Sequence, residues 1–147
     1  MKELRPLLIV EDSDEDFEVT CWALQQAGFA RPIIRCVRAE EALLRLCPLA
    51  RDPDWAERLP CLVLLDLNLP GTNGRQLLEA LRRQEAPPSI PIVILSTSNN
   101  PRDVAACYRL GAAGYLCKPL SLDEYAAKMR GLTCYWFDAI TLPDEST

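Results

Sequence analysis

The stretch Cys61-Leu62-Val63-Leu64-Leu65-Asp66-Leu67-Asn68-Leu69-Pro70 decides the fold. An apolar run from Cys61 to Leu65 ends abruptly in the Asp66 carboxylate, and a Pro70-Gly71 turn follows. Short apolar runs bounded by turn signals read as strands buried on both faces of a parallel sheet. Asp66 then stands at a strand's carboxyl end, the edge where open α/β sheets bind ligands. Taken alone, such an Asp is more simply a cap for the next turn. The rest of the chain weighs against that.

Leu7-Leu8-Ile9-Val10 is a second apolar run, ending in Glu11-Asp12, and Ser13-Asp14-Glu15 give the acidic opening of a helix. Phe17, Cys21 and Leu24 follow at helical spacing, and Gly28 supplies the stop. Pro32 to Val37 is a β-branched strand, and a helix from about Ala39 to Leu46 turns Ala42, Leu43 and Leu46 inward. Pro48 to Pro60 reads as a long surface connection with a helical turn around Trp55. After Asp66 the loop Pro70-Gly71-Thr72-Asn73-Gly74 leads into a helix with the stripe Leu77, Leu78, Leu81, broken by Ala86-Pro87-Pro88-Ser89.

Ile90 to Leu95 forms the next strand and delivers Ser96-Thr97-Ser98-Asn99-Asn100. A helix from Pro101 to Gly111 follows, Pro suiting the first helical turn. Gly114-Tyr115-Leu116-Cys117 is a short strand that delivers Lys118-Pro119. The last helix spans about Ser121 to Phe137, with Leu122, Tyr125, Ala126, Met129 and Leu132 on one side. Five strands alternating with five helices predict an α/β fold: a doubly wound five-stranded parallel sheet in the flavodoxin-like order 2-1-3-4-5. Residues 1-137 form its domain, and 138-147 a tail.

At 147 residues the chain suits one domain burying roughly 70% of its unfolded surface. The net charge of -5 disfavours a nucleic-acid partner, because phosphate-backbone contacts need clustered Lys and Arg. No apolar run approaches the ~18 residues of a membrane span. Seven cysteines without a signal peptide or CxxC pair point to the reducing cytoplasm, with Cys21, Cys36, Cys61, Cys107 and Cys117 as small buried hydrophobes. With no histidine, the usual zinc ligand sets are improbable.

Four strands thus end in polar groups on one edge: Glu11-Asp12, Asp66, Ser96 and Lys118. Carboxylates so placed repel one another unless a divalent cation joins them, and Mg²⁺ suits all-oxygen ligands. Asp12, Asp66 and the backbone carbonyl of Asn68 are the expected ligands, with Glu11 behind them. Phosphoryl transfer needs an in-line nucleophile and a fixed cation. Asp66 can be the first, Lys118 the second, and the Ser96 hydroxyl a further donor. Each group also has a duller role, as a capping residue or a solvated lysine; their joint placement favours chemistry.

In this pattern the chain resembles the receiver domains of two-component response regulators, over roughly Leu7 to Met129. The resemblance rests on Ile9-Val10-Glu11-Asp12, Leu64-Leu65-Asp66-Leu67-Asn68-Leu69-Pro70 with Gly74, Ile94-Leu95-Ser96, and Tyr115-Leu116-Cys117-Lys118-Pro119. It implies that Asp66 accepts a phosphoryl group from a phosphohistidine on a sensor histidine kinase. It also implies that Ser96 and Tyr115 switch, that Asn68 and Ser98 tune hydrolysis, and that self-dephosphorylation is slow. The Pro48 to Pro60 connection and the ending Tyr135-Trp136-Phe137-Asp138-Ala139-Ile140-Thr141-Leu142-Pro143 narrow the likeness to single-domain regulators that partner phytochromes. With no DNA-binding domain following, the expected output is protein contact.

Tyr135, Trp136, Phe137, Ile140 and Leu142 are more apolar surface than a terminus normally exposes, predicting a homodimer through the fourth helix, fifth strand, fifth helix and tail. Alternatives are a haloacid-dehalogenase-type phosphohydrolase, whose second acid two residues after the nucleophile is here Asn68, a flavin carrier, whose phosphate loop Glu11-Asp12-Ser13-Asp14-Glu15 would repel, and a phosphorylation-independent docking receiver.

Overall fold

In a computed structural model, residues 4-47, 54, 58-84 and 89-143 are described. Strands β1 (Leu7–Val10), β2 (Ile33–Cys36), β3 (Leu62–Asp66), β4 (Ile92–Ser96) and β5 (Gly114–Cys117) form one parallel sheet in the order β2-β1-β3-β4-β5. Helices α1 (Asp14–Gln26), α2 (Ala39–Leu46), α3 (Gly74–Arg82), α4 (Pro101–Arg109) and α5 (Leu122–Thr133) alternate with the strands, as the sequence predicts. Because successive strand side chains point to opposite faces, the apolar runs supply two cores. Leu8, Val10, Val63, Leu65 and Ile94 face α2, α3 and α4; Leu7, Ile9, Leu62, Leu64 and Leu95 face α1 and α5.

Local chemistry fixes the helix starts. Ser13, Asn73, Asn100 and Ser121 each accept a backbone N–H from the first turn of α1, α3, α4 and α5. At Asn73 the bond is reciprocated by the Gln76 side chain, a complete capping box. The two central helices of the second core are tied together by a buried hydrogen bond of 2.7 Å between Thr20 and Tyr125 hydroxyls.

The structure corrects several expectations. Val37 lies beyond β2 and is 39% exposed, and Leu122, in the first turn of α5, is 54% exposed rather than inward. Cys21 and Cys117 are half-buried, whereas Cys36, Cys61 and Cys107 are buried. The last helix does not stay α-helical to Phe137: residues Cys134–Ala139 form a π-helical segment. Its wider turn shifts the side-chain phase relative to α5. The apolar ending is consequently turned largely inward: Leu142 is buried in the α1/α5 core, Trp136 and Phe137 pack against it, and Phe137 meets Phe29 at 5.2 Å. Tyr135 remains open. The expected division between 137 and 138 falls inside this segment. The helical turn anticipated around Trp55 and the helix-breaking Ala86-Pro87-Pro88 lie outside the described residues.

Candidate functional site

The parallel register makes the site. Val10 pairs with Leu65, so Glu11 and Asp66 leave the β1–β3 pair side by side. Ser96 pairs with Cys117, which puts Lys118 one residue past the same edge, where its backbone N–H donates to the Ser96 carbonyl at 2.7 Å. Gly74 allows α3 to start against this edge: a Cβ there would stand 2.6 Å from the Asp66 carbonyl oxygen and 2.9 Å from Leu67 Cα. The backbone N–H of Gly74 in turn donates to the Leu67 carbonyl at 3.1 Å.

Lys118 Nζ sits among three carboxylates, 2.9 Å from Glu11 Oε1, 3.3 Å from Asp66 Oδ2 and 3.4 Å from Asp16 Oδ2. Glu11, Asp66 and the lysine are largely withdrawn from water, whereas Asp12 is exposed. Burial alone would lower the lysine pKa, but the Glu11 hydrogen bond and the charges of Asp66, Glu11 and Asp16 outweigh it and hold Lys118 above the usual range. Glu11 moves up to about 7, first because it is buried and then through its contact with Asp66, with Lys118 opposing both. Asp66 Oδ1 also accepts the Asn68 backbone N–H at 2.9 Å.

Oxygen atoms of Glu11, Asp12 and Asp66 all lie within 4.8 Å of one another, a group able to hold a metal ion. Three hard carboxylates with one facing solvent suit a divalent cation that keeps part of its water shell. The negative excess of these acids over a single lysine is the physical reason for one to bind.

A second set of contacts lies in the β4–α4 loop and centres on Ser98. Its N–H donates to Ser96 Oγ at 3.1 Å and its hydroxyl to Asp103 Oδ2 at 2.6 Å. Its carbonyl accepts both the Tyr115 hydroxyl at 2.9 Å and the Cys117 thiol at 3.1 Å. Ser96 is buried, while Tyr115 is half-buried and turned to this loop. The structure thus brings Glu11, Asp12, Asp66 and Lys118 together and groups Ser96, Ser98 and Tyr115 beside them; the Asn68 side chain is exposed.

Sequence reasoning missed Asp16, Asp103 and Arg35. Arg35 donates from Nε to the Glu11 carbonyl at 3.0 Å and from Nη1 to Asp14 at 2.8 Å, its guanidinium 4.7 Å from the Phe17 ring. It braces the acidic loop from β2. The spacing of Ser98 and Asp103, a loop hydroxyl ahead of a first-turn carboxylate, was a local signal for their bond. Arg35 left none, since its partners are brought to it by the sheet.

Comparison with known proteins agrees with this geometry. The response regulator receiver domain family matches residues 7–130. The response regulator Rcp1 of Synechocystis is 31% identical over 138 residues, covering 93% of this chain and 92% of that protein. Among solved structures, the response regulator RPA3017 in red light signaling of R. palustris superposes with a TM-score of 0.84 at 27% identity, covering 95% of this chain and 99% of that one. The phosphorylated cyanobacterial phytochrome response regulator RcpA gives 0.81 at 29% identity, covering 96% and 99%. A buried aspartate at the end of β3, a lysine at the end of β5 and acids after β1 are therefore shared architecture, and the chain belongs to the response regulator receiver domain family.

Proposed function

We propose that Asp66 is the phosphoacceptor of a phosphorelay in which the donor is a phosphohistidine on a sensor histidine kinase of the phytochrome class. The observation that carries this reading is the convergence of Lys118 on Asp66 and Glu11 beside the Asp12 carboxylate. An Asp66 oxygen attacks phosphorus, the P–N bond breaks, and its electron pair stays on the donor imidazole nitrogen. Lys118 pairs with phosphoryl oxygen, as a fixed cation already seated against Asp66. Ser96 donates its hydroxyl to another oxygen. Mg²⁺, held by Asp12, Asp66 and the Asn68 carbonyl with Glu11 behind them, supplies charge neutralisation when bound. The haloacid-dehalogenase and flavin-carrier readings lose their ground with the family assignment.

The switch follows from the Ser98 contacts. Moving Ser96 towards a phosphoryl group takes its Oγ from the Ser98 N–H, and Tyr115 then leaves the Ser98 carbonyl and turns inward. Asn68 and Ser98 tune hydrolysis, so the chain dephosphorylates itself slowly. Signalling proceeds in the cytoplasm without nucleic acid, and among the described residues no helix is long and apolar enough to cross a membrane. A homodimer forms through α4, β5, α5 and the ending that follows. A groove of about 390 Å³, lined by Tyr108, Tyr115, Leu116, Lys128, Tyr135 and Trp136, supports that surface, with Tyr108 and Tyr135 about half exposed. Because Leu142 is a core residue, Tyr108→Glu with Tyr135→Glu is a cleaner probe of the dimer than deleting 138-147; an unchanged mass by light scattering would sink it.

Intact mass spectrometry after incubation with acetyl phosphate and Mg²⁺ tests the central reading. One phosphoryl adduct is expected, absent in Asp66→Asn and in chelator. An adduct that persists in Asp66→Asn would refute the assignment, and neither adduct nor beryllofluoride binding would leave a phosphorylation-independent docking receiver.

A further inference from the structure

Acidic residues outnumber basic ones, 21 to 16, yet four arginines converge on the α3–α4 side of the sheet. Arg75 and Arg82 lie on α3, Arg102 and Arg109 on α4. Within each pair the spacing of seven residues is close to two helical turns, so each pair shares a helix face. Arg75, Arg102 and Arg109 line a groove of about 540 Å³ together with Asn100, Asp103 and Ala106. All three arginines are exposed, and among the described residues none of them is in an ion pair.

The groove's own carboxylate is already engaged, since Asp103 Oδ2 accepts the Ser98 hydroxyl at 2.6 Å. Arg82 is held in place at the other end, donating from Nη1 to the Arg109 carbonyl at 3.3 Å. Gly111 makes that seat available: its φ is +93°, and a Cβ there would lie 2.8 Å from Arg82 Nη1. Beside Arg82 opens a smaller hollow of about 280 Å³, whose lining includes Leu78, Leu81, Ile90, Ile92 and Leu110. Fixed guanidinium groups bordering an apolar hollow combine paired-charge recognition with burial.

We infer that the α3–α4 groove docks an acidic amphipathic segment of a partner protein, its carboxylates meeting Arg75, Arg102 and Arg109 and its apolar side entering the hollow of Leu78, Leu81 and Leu110. Arginine forks match carboxylates with two parallel hydrogen bonds. Duplex DNA, with one negative charge per ~1.7 Å, rewards many phosphate contacts along its length, and this net-acidic chain offers only a short cluster. A flat membrane surface cannot enter a groove between two helices. The inference does not depend on phosphorylation of Asp66.

The test titrates the full chain against a fluorescein-labelled helical peptide of roughly five turns, with Glu seven residues apart on one face and Leu on the adjoining face. Fluorescence anisotropy should show saturable binding that is about tenfold weaker or more in the Arg102→Gln/Arg109→Gln double variant, each lost charge-assisted contact being of that order. A peptide with Gln for Glu should bind equally poorly to both proteins. Arg75→Gln alone gives the same direction of change should the double variant not fold, and Arg130→Gln on α5 and Asp66→Asn should leave affinity unaltered. Equal binding by the groove variants, no binding of the Glu peptide, or preference for duplex DNA or phosphatidylserine vesicles would overturn the inference.

Discussion

The strand-end charges and the β4–α4 loop lie side by side, but they are held by different forces. Glu11, Asp66 and Lys118 are withdrawn from water, and each is fixed by opposite charge at short range. Removing one such partner leaves another charge buried alone, which is costly. Ser98, Tyr115 and Asp103 are half-buried and joined by hydrogen bonds that water or a phosphoryl oxygen can replace. The difference separates the chemistry from the switch: reacting groups need a fixed geometry, and a responsive loop needs contacts that exchange at low cost.

The largest break in this comparison should come from Lys118→Met, which removes the fixed cation and spares the loop. Phosphoryl uptake from acetyl phosphate, followed by intact mass, should fall about 100-fold or more. Ser98→Ala should alter uptake far less, and equal effects of the two would erase the distinction. Gly74→Ala comes next. The added Cβ presses on the Asp66 carbonyl and Leu67 Cα, which cannot give way as a flexible side chain would, so urea denaturation should show a loss of about 1–3 kcal/mol.

Mg²⁺ should stabilise the chain by about 2.7 kcal/mol at a hundred times its Kd, and by far less in Asp12→Asn. Equal stabilisation of both would remove Asp12 from the metal site. The pH response sharpens the same region. In metal-free protein the folded-state pKa of Glu11 is about 7, above its ordinary 4.5, so the folded state keeps a proton that the unfolded chain releases. Stability from Glu11 is therefore fully present below pH 4.5 and is lost as pH rises through 7. Denaturation in chelator across that window should lose this slope in Glu11→Gln; an identical slope would contradict it. The smallest effect is expected from Asp103→Asn, which weakens one loop contact: global stability should change by about 1 kcal/mol or less, while phosphate lifetime changes measurably.

The fold was legible because its signals are local. Each buried strand is a short apolar run, and each run ends in the group that the sheet gathers at its edge. Glu11, Asp66 and Lys118 could thus be named together from strand ends alone. What escaped depends on phase and on long-range contact. The stripe of α5 extrapolates past Thr133 only while the helix stays α, so the inward turn of Trp136, Phe137 and Leu142 was hidden. The Arg35 brace and the lining of the α3–α4 groove join elements whose facing positions no spacing rule supplies.

Amide hydrogen exchange with and without beryllofluoride and Mg²⁺ tests the division between fixed chemistry and soft switch most directly. Altered exchange at residues 96-103 and at 115, with β1 and the core of β3 unchanged, is the result this account predicts. Altered exchange spread through β1 and β3, or a β4–α4 loop indifferent to the phosphoryl mimic once it is bound, would contradict it.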